Sequence, residues 1–247
     1  MEWIHELLGY EQIKIIQNDE MFRFSVDSML LAHFVRTTRD TKNIIDLGCG
    51  NAPIPMYLTL KTQAKIIGVE IQEPVAELAK RSVALNHFEN QIEIIHADIK
   101  DIYKRDFANR FDIVISNPPY FKWKESSKIN KNQFLTIARH EVKIKLEEII
   151  SEAKKLLVDG GQFYLVHRAD RLDEIVLALH LERFQMKRIQ FIYPKTNDKE
   201  ALLVLIEARK NKKSECKVIE PCYIYQENGE YTQQLKKIFH FPKQNIE

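Results

Sequence analysis

The chain is expected to fold as α/β, with a Rossmann-like, mostly parallel sheet that ends in an antiparallel strand. From Ile44 onward, short β-branched runs alternate with longer amphipathic stretches, the pattern of strands joined by helices. Most spacers are long enough for right-handed crossovers, which set successive strands parallel. The last two runs, Arg188–Tyr193 and Leu202–Ala208, are separated by only about eight residues. That is too few for a crossover helix, so this pair is expected to be antiparallel.

Each element has its own local reason. Lys14–Gln17 and Met21–Ser25 read as two strands of a hairpin turning through Asn18–Glu20. A helix is expected from Asp27 to about Thr37, burying Leu30, Leu31, Phe34 and Val35, with Asp27 read first as its cap and second as a residue that helps to close a ligand pocket. Strands follow at Ile44–Leu47, Ile66–Glu70, Ile92–His96, Phe111–Asn117 and Gln162–His167, with helices at Pro53–Lys61, Glu73–Asn86, Lys143–Leu157 and Asp170–Arg183. In the second of these helices Val75, Leu78, Ala79 and Val83 share a face, and Glu77 precedes Arg81 by one turn, the favourable order for an ion pair. The RKNKK run at Arg209–Lys213 reads as a solvated charge run, and the tail carries an Asn228-Gly229 turn between tyrosine-rich runs. Residues 1–40 are expected to form a hairpin-and-helix extension packed on the core, 41–210 the main domain, and 211–247 a C-terminal extension.

Composition narrows the classes. With 247 residues, 45 % hydrophobic and 29 % charged, wholesale disorder is excluded. The 37 basic and 35 acidic residues nearly cancel, so this is no polybasic binder. Cys49, Cys216 and Cys222 form no CxxC pair and the eight histidines no HExxH, which disfavours a disulfide framework and any metal site. The first residues lack a basic segment before an apolar core, and no apolar run approaches membrane length. A cytoplasmic chain without a membrane partner is expected, and nothing sets its oligomeric state.

Three strand ends carry residues suited to a nucleoside. Asp46-Leu-Gly48-Cys-Gly50 follows the first strong strand and opens a helix. Its glycines let the backbone come close to a ligand at the carboxyl ends of the strands. A dinucleotide fingerprint would need a third glycine where Pro53 stands, and no P-loop lysine follows, so the expected ligand lacks a pyrophosphate. Alone, the loop reads equally as a plain turn. Glu70 ends the second strand, where a carboxylate suits the two ribose hydroxyls, and Asp98 ends the third, within reach of an adenine amino group. Each acid alone reads as a strand-end carboxylate or a helix cap; with the glycine loop they outline a site.

The sharpest motif is Asn117-Pro118-Pro119-Tyr120, directly after FDIVIS. Two prolines fix the backbone and remove amides that would compete for nearby carbonyls. The Asn117 side-chain oxygen and the Pro118 carbonyl can then accept both hydrogens of one planar amino group. Tyr120 offers a face on which a flat base can stack.

DLGCG, Glu70, Asp98 and NPPY resemble the motifs of class I S-adenosylmethionine-dependent methyltransferases. NPPY resembles their amino-group branch, which acts on N6 of adenine, N4 of cytosine or N5 of glutamine. MFRFSVDSMLLAHF, ARHE at Ala138–Glu141 and LVHRADRL at Leu165–Leu172 are similar to the tRNA(Val) adenine-N6-methyltransferase family, which modifies the adenine just 3′ of the anticodon. The resemblance implies S-adenosyl-L-methionine as cofactor, with Asp46, Gly48 and Gly50 shaping its methionine pocket. It further implies Glu70 on the ribose, Ile71 packed on the adenine, Asp98 at the adenine amino group, and Asn117, Pro118, Pro119 and Tyr120 around the target base. Many relatives carry a third glycine at the place of Ala52, so a tighter loop is expected here.

An RNA partner, tRNA by the resemblance, also agrees with the segment after NPPY. There Lys122, Trp123 and Lys124 interleave cations with an aromatic ring, and Arg139 and His140 follow. An ordinary lysine-rich surface loop is the competing reading. The rival functions are glutamine N5-methylation of a release factor, and adenine N6-methylation of ribosomal RNA or DNA. The first is disfavoured because only about forty residues precede the first strong strand, where a substantial helical domain would be needed.

Overall fold

The computed structural model describes residues 1–8, 10–19, 21, 25–120, 144–213 and 215–239. Strands β1 (Glu2–Leu7) and β2 (Tyr10–Asn18) pair antiparallel, with Ile4 opposite Ile16. Lys14–Gln17 is a strand as expected, with its partner in this hairpin preceding it; of the expected second strand, Met21–Ser25, residues 22–24 lie outside the described residues. Pairing in that direction buries Leu7 with Ile13 and Ile15 in the core, and leaves Ser25 to open the next helix.

Helices and strands then alternate: α1 (Val26–Phe34), β3 (Asn43–Leu47), α2 (Pro53–Leu58), β4 (Lys65–Glu70), α3 (Glu73–Leu85), β5 (Ile92–His96), α4 (Ile99–Ile102) and β6 (Phe111–Ser116). After the segment 121–143 come α5 (Leu146–Leu156), β7 (Leu157–Arg168), α6 (Leu172–Leu181), β8 (Phe184–Lys195), β9 (Leu203–Lys210), β10 (Lys217–Val218), β11 (Cys222–Tyr225) and α7 (Gln233–Phe239). The strand order is β10-β8-β9-β7-β6-β3-β4-β5, with β11 also on β8. Strands β3 to β7 are parallel to their neighbours among themselves. The expected antiparallel pair is present, with Ile189 opposite Ile206, and β9 is antiparallel to β7 as well.

The tail does more than expected, since β10 and β11 both pair parallel with β8 and cover its outer edge. An edge left open would expose unpaired amides and carbonyls. The turn at Gly229 (φ +85°) returns the chain, so that Tyr231 stacks on Tyr225 with ring centroids 5.1 Å apart.

Side chains alternate across β3, sending Ile44 to one face of the sheet and Ile45 and Leu47 to the other. Helices α1, α2, α3 and α7 cover the first face, and α4, α5 and α6 the second. Each fully buried Leu or Ile contributes roughly 1.5–3 kcal/mol, so the two layers hold the strand ends in place. On α3, Val75, Ala76, Leu78, Ala79, Ser82 and Val83 form the buried stripe. Ser82 Oγ accepts from the Ile16 amide at 3.0 Å, and Asn86 bonds both the amide (2.8 Å) and the carbonyl (2.6 Å) of Lys14. These side chains satisfy part of the open edge of β2.

The far end of α1 is pinned by two cations. Lys61 Nζ donates to the carbonyls of Ala32 (3.0 Å) and His33 (2.9 Å), and also to Val35. Arg188 donates to the Phe34 carbonyl at 2.8 Å, lies 4.2 Å from the Phe34 ring centroid, and pairs with the buried Glu207. Positive charge there opposes the helix dipole and satisfies carbonyls that the helix cannot.

Candidate active site

The carboxyl ends of β3, β4, β5 and β6 lie side by side along one edge of the sheet. Asp46, near the end of β3, is fully buried, and neither carboxylate oxygen has a hydrogen-bond partner among the described residues. Burial, with a smaller push from the nearby Glu70 charge, raises its pKa to about 8. A buried carboxylate without donors is costly as an anion, so the site is prepared for a ligand that brings positive charge or hydrogens.

The loop after β3 owes its shape to positive φ at Gly48 (+78°) and Gly50 (+56°), and open space lies where a Cβ would stand on either. The Gly48 and Cys49 amides both donate to the Val69 carbonyl at 2.9 Å. Gly68 is needed beneath, because a Cβ there would come 2.8 Å from Cys49 Sγ. Cys49 is a buried packing residue whose thiol is pushed up by burial, away from nucleophilic chemistry.

Ala52 also holds a left-handed conformation, φ +68°, and is completely buried. It therefore does the backbone work for which glycine is suited, at a cost of about 1 kcal/mol. Ala52→Gly relieves that strain and loses one buried methyl, worth about 0.8 kcal/mol, so its expected melting temperature is nearly unchanged. Ala52→Val adds a β-branch at positive φ in a filled core and is expected to destabilise by about 2–3 kcal/mol in denaturant unfolding.

Glu70 lies at the end of β4 and is buried, with its carboxyl held above the usual range by that burial. Its Oε2 accepts from the Gly50 amide at 3.1 Å and its Oε1 from the Gln72 amide at 2.9 Å. Hydrogen bonds from the Ile71 amide and the Gln72 side chain also favour the charged carboxylate. Ile71 follows, half-buried, and its carbonyl lies 3.1 Å from His96 Nε2. Asp98 is half-buried and caps α4, with Oδ1 accepting from the Lys100 amide at 2.9 Å.

Asn117 to Tyr120 leave β6 beside the glycine loop, because Ser116 Oγ donates to the Leu47 carbonyl at 2.9 Å. Among the described residues, no amide donates to the Pro118 carbonyl. Asn117 Nδ2 donates to Ser28 Oγ at 3.2 Å, and the Tyr120 hydroxyl lies 2.8 Å from both Asp27 Oδ2 and Asn117 Oδ1. The Tyr120 carbonyl accepts from Arg171 Nη1 at 3.2 Å, and Arg171 also pairs with Glu174 at 2.8 Å. The Tyr120 ring packs 5.4 Å from that of His167 at a 54° tilt. His167 is fully buried; burial first, then the charge of Arg171, lower its pKa to about 4, so the ring is neutral.

The structure thus brings Asp46, Gly48, Gly50, Glu70, Ile71 and Asp98 to the ends of three adjacent strands, with Asn117, Pro118, Pro119 and Tyr120 next to them. Lys122, Trp123, Lys124, Arg139 and His140 lie outside the described residues. Asp27 does not cap α1, which starts at Val26 after Ser25; it stands inside the first turn, and its carboxyl reaches Tyr120. Ser28 and Arg171 are not among the site residues expected from the sequence, although they lie within the MFRFSVDSMLLAHF and LVHRADRL segments.

A family model described as the methyltransferase small domain matches residues 23–145. The tRNA1(Val) (adenine(37)-N6)-methyltransferase of Porphyromonas gingivalis is 30 % identical over 190 residues, covering 74 % of this chain and 73 % of the relative. The chain belongs to this family of class I methyltransferases. Its cofactor is therefore S-adenosylmethionine. A relative of the same description from Dyadobacter fermentans is 23 % identical over 222 residues, covering 89 % of each chain. In fold, this methyltransferase is similar to the crystal structure of a predicted O-methyltransferase from Agrobacterium tumefaciens, with a TM-score of 0.67 and 24 % identity over 89 % of this chain and all of that one.

The residues fit the cofactor's chemistry. S-adenosylmethionine presents an ammonium group, two ribose hydroxyls and an adenine. The unpartnered oxygens of buried Asp46, the open space over Gly48 and Gly50, and the acceptor oxygens of the Glu70 carboxylate at the end of β4 are complementary to those groups. No helix among the described residues is long and apolar enough to cross a membrane.

Proposed function

We propose that this methyltransferase acts in the cytoplasm on the exocyclic N6 of adenine in tRNA, at position 37 of tRNA(Val). The observation that carries the reading is the pair of acceptors, Asn117 Oδ1 and the Pro118 carbonyl, to which no amide donates among the described residues, beside the nucleoside pocket. The names of the relatives support the choice of substrate. Asp46 would hold the cofactor's ammonium with Gly48 and Gly50 shaping the pocket, Glu70 the ribose, Ile71 one face of the adenine, and Asp98 its amino group.

When bound, S-adenosylmethionine supplies an electrophilic methyl carbon. Adenine N6 is a poor nucleophile because its lone pair is delocalised into the ring. Asn117 and Pro118 would accept its two hydrogens, holding the nitrogen and stabilising the positive charge that grows on it during attack. The extra proton of the methylated nitrogen leaves to water. Tyr120 would pack against the base, with its hydroxyl anchored to Asp27 and Asn117. A base stacked inside a helix cannot reach such a pocket, so a loop or flipped nucleotide is required. Lys122, Trp123, Lys124, Arg139 and His140 are the proposed RNA contacts on grounds of composition.

The test is transfer of labelled methyl into tRNA that lacks the modification, followed by digestion to nucleosides. N6-methyladenosine is expected, confined to tRNA(Val) and lost when A37 is replaced. Label in another tRNA or at another adenine would overturn the site assignment. An unlabelled tRNA pool with cofactor binding intact would overturn the tRNA reading itself.

A further inference from the structure

Tyr120 has one hydroxyl proton, yet its oxygen lies 2.8 Å from two acceptors, Asp27 Oδ2 and Asn117 Oδ1. Both contacts are full hydrogen bonds when Asp27 carries a proton and donates it to Tyr120, whose own proton then goes to Asn117. Burial favours that arrangement, holding the Asp27 carboxyl above its ordinary range although the Tyr120 bond acts the other way. Asn117 Nδ2 in turn donates to Ser28 Oγ at 3.2 Å. A single chain of donors therefore runs from Asp27 through Tyr120 and Asn117 to Ser28, leaving the first turn of α1 and returning to it.

The two ends of an amide are nearly the same shape, so its partners decide which end is presented to a ligand. Here the Tyr120 hydroxyl marks the oxygen end of Asn117 and Ser28 the nitrogen end. The oxygen accepts a second hydrogen bond, which leaves one lone pair for an incoming amino group. Backbone placement has a separate source, because Arg171 holds the Tyr120 carbonyl from β7's side of the loop at 3.2 Å.

We propose that Asp27 and Ser28 are positioning residues for methyl transfer: through the Tyr120 hydroxyl and the Asn117 amide, they hold Asn117 Oδ1 as the acceptor of the target amino group. The proposal deepens the adenine-N6 reading and rests on it.

The test is a double-mutant cycle on the full-length enzyme, measuring kcat, KM for tRNA, cofactor affinity by calorimetry, and melting. Asp27→Ala is expected to lower kcat about tenfold to thirtyfold, the size of one hydrogen bond lost at a reacting centre, with both affinities within about twofold. Asp27→Asn, whose amide can donate to or accept from the Tyr120 hydroxyl, should recover to within about threefold of the parent. Tyr120→Phe keeps the ring and breaks the same chain, so adding Asp27→Ala to it should cost less than about twofold more. Multiplicative losses, an effect on affinity in place of kcat, or an Asp27→Asn as slow as Asp27→Ala would each overturn the proposal. Should Asp27→Ala prove unstable, Tyr120→Phe and Ser28→Ala decide the matter, since unchanged kcat in both would overturn it. Asn117→Ala separates the two levels. If it is inactive while Asp27→Ala is fully active, only the positioning assignment falls; if Asn117→Ala is itself fully active, the adenine-N6 reading falls with it.

Discussion

Asn117→Ala is expected to lower kcat for tRNA methylation by about a hundredfold to a thousandfold, the usual effect of removing one preorganised group that stabilises developing charge. The substitution leaves the Pro118 carbonyl in place, so one of the two acceptors survives and some activity with it. Cofactor affinity should change by less than about threefold, because Asp46, Gly48, Gly50 and Glu70 belong to β3 and β4 and the loop between them. That split is the diagnostic. Single-turnover rates with saturating tRNA, set beside calorimetric cofactor binding, measure both halves. Comparable losses in rate and in cofactor affinity would mean that Asn117 shapes the cofactor pocket in place of the reacting amine.

Proton release on cofactor binding is the second large effect. Burial and the neighbouring Glu70 put the Asp46 pKa at about 8 in the free protein, against an ordinary aspartate value of 3.8. The sign follows from that direction. A folded-state pKa raised above the unfolded one gives Asp46 a stabilising contribution below about pH 4, lost progressively as pH rises through about 8. Cofactor binding runs the opposite way, since a cationic ammonium favours the carboxylate. Below pH 8 the ligand must expel a proton, and apparent affinity is expected to weaken about fiftyfold between pH 8 and pH 6. Calorimetry in two buffers of different ionisation enthalpy should record close to one proton released per cofactor at pH 6–7. Asp46→Asn should abolish the release and flatten the profile. A parent enzyme with no buffer dependence over that range would remove Asp46 from the ammonium site.

Much of this arrangement is legible in the sequence where the signal is local. The β-branched runs at Ile44–Leu47 and Ile92–His96 are strands because alternate residues enter two different apolar layers. The short spacer before Leu202 foretells the antiparallel pair. Pairing partners are another matter. Lys14–Gln17 has the pattern of a strand, yet nothing inside it says whether its neighbour lies before or after. In the pairing that forms, Leu7 is buried in the core. Strands β10 and β11, of two and four residues, are too short to show a period, and exist because the edge of β8 is available.

The site divides along the same line. Asp46, Glu70, Asp98 and the NPPY residues stand at strand ends, where motif and position coincide. Asp27 looks like a helix cap from its own surroundings, because the hydroxyl that it meets lies 93 residues away. Ala52 could be noted as a small residue in a glycine loop, but its left-handed backbone is visible only in three dimensions.

The clamp on α1 bears on when the enzyme becomes competent during synthesis. The Phe34 carbonyl waits for Arg188, 154 residues later, and the Ile16 amide for Ser82, 66 residues later. Such distant partners raise the contact order, and with it the loop entropy spent before each contact is rewarded. Segments made before these partners are thus among the last to be locked. An emerging chain can hold the parallel strands β3 to β6 while α1, and the Asp27 and Ser28 it carries, still lack their anchor. The arrangement ties the readiness of the proposed target-base pocket to completion of the far edge of the sheet.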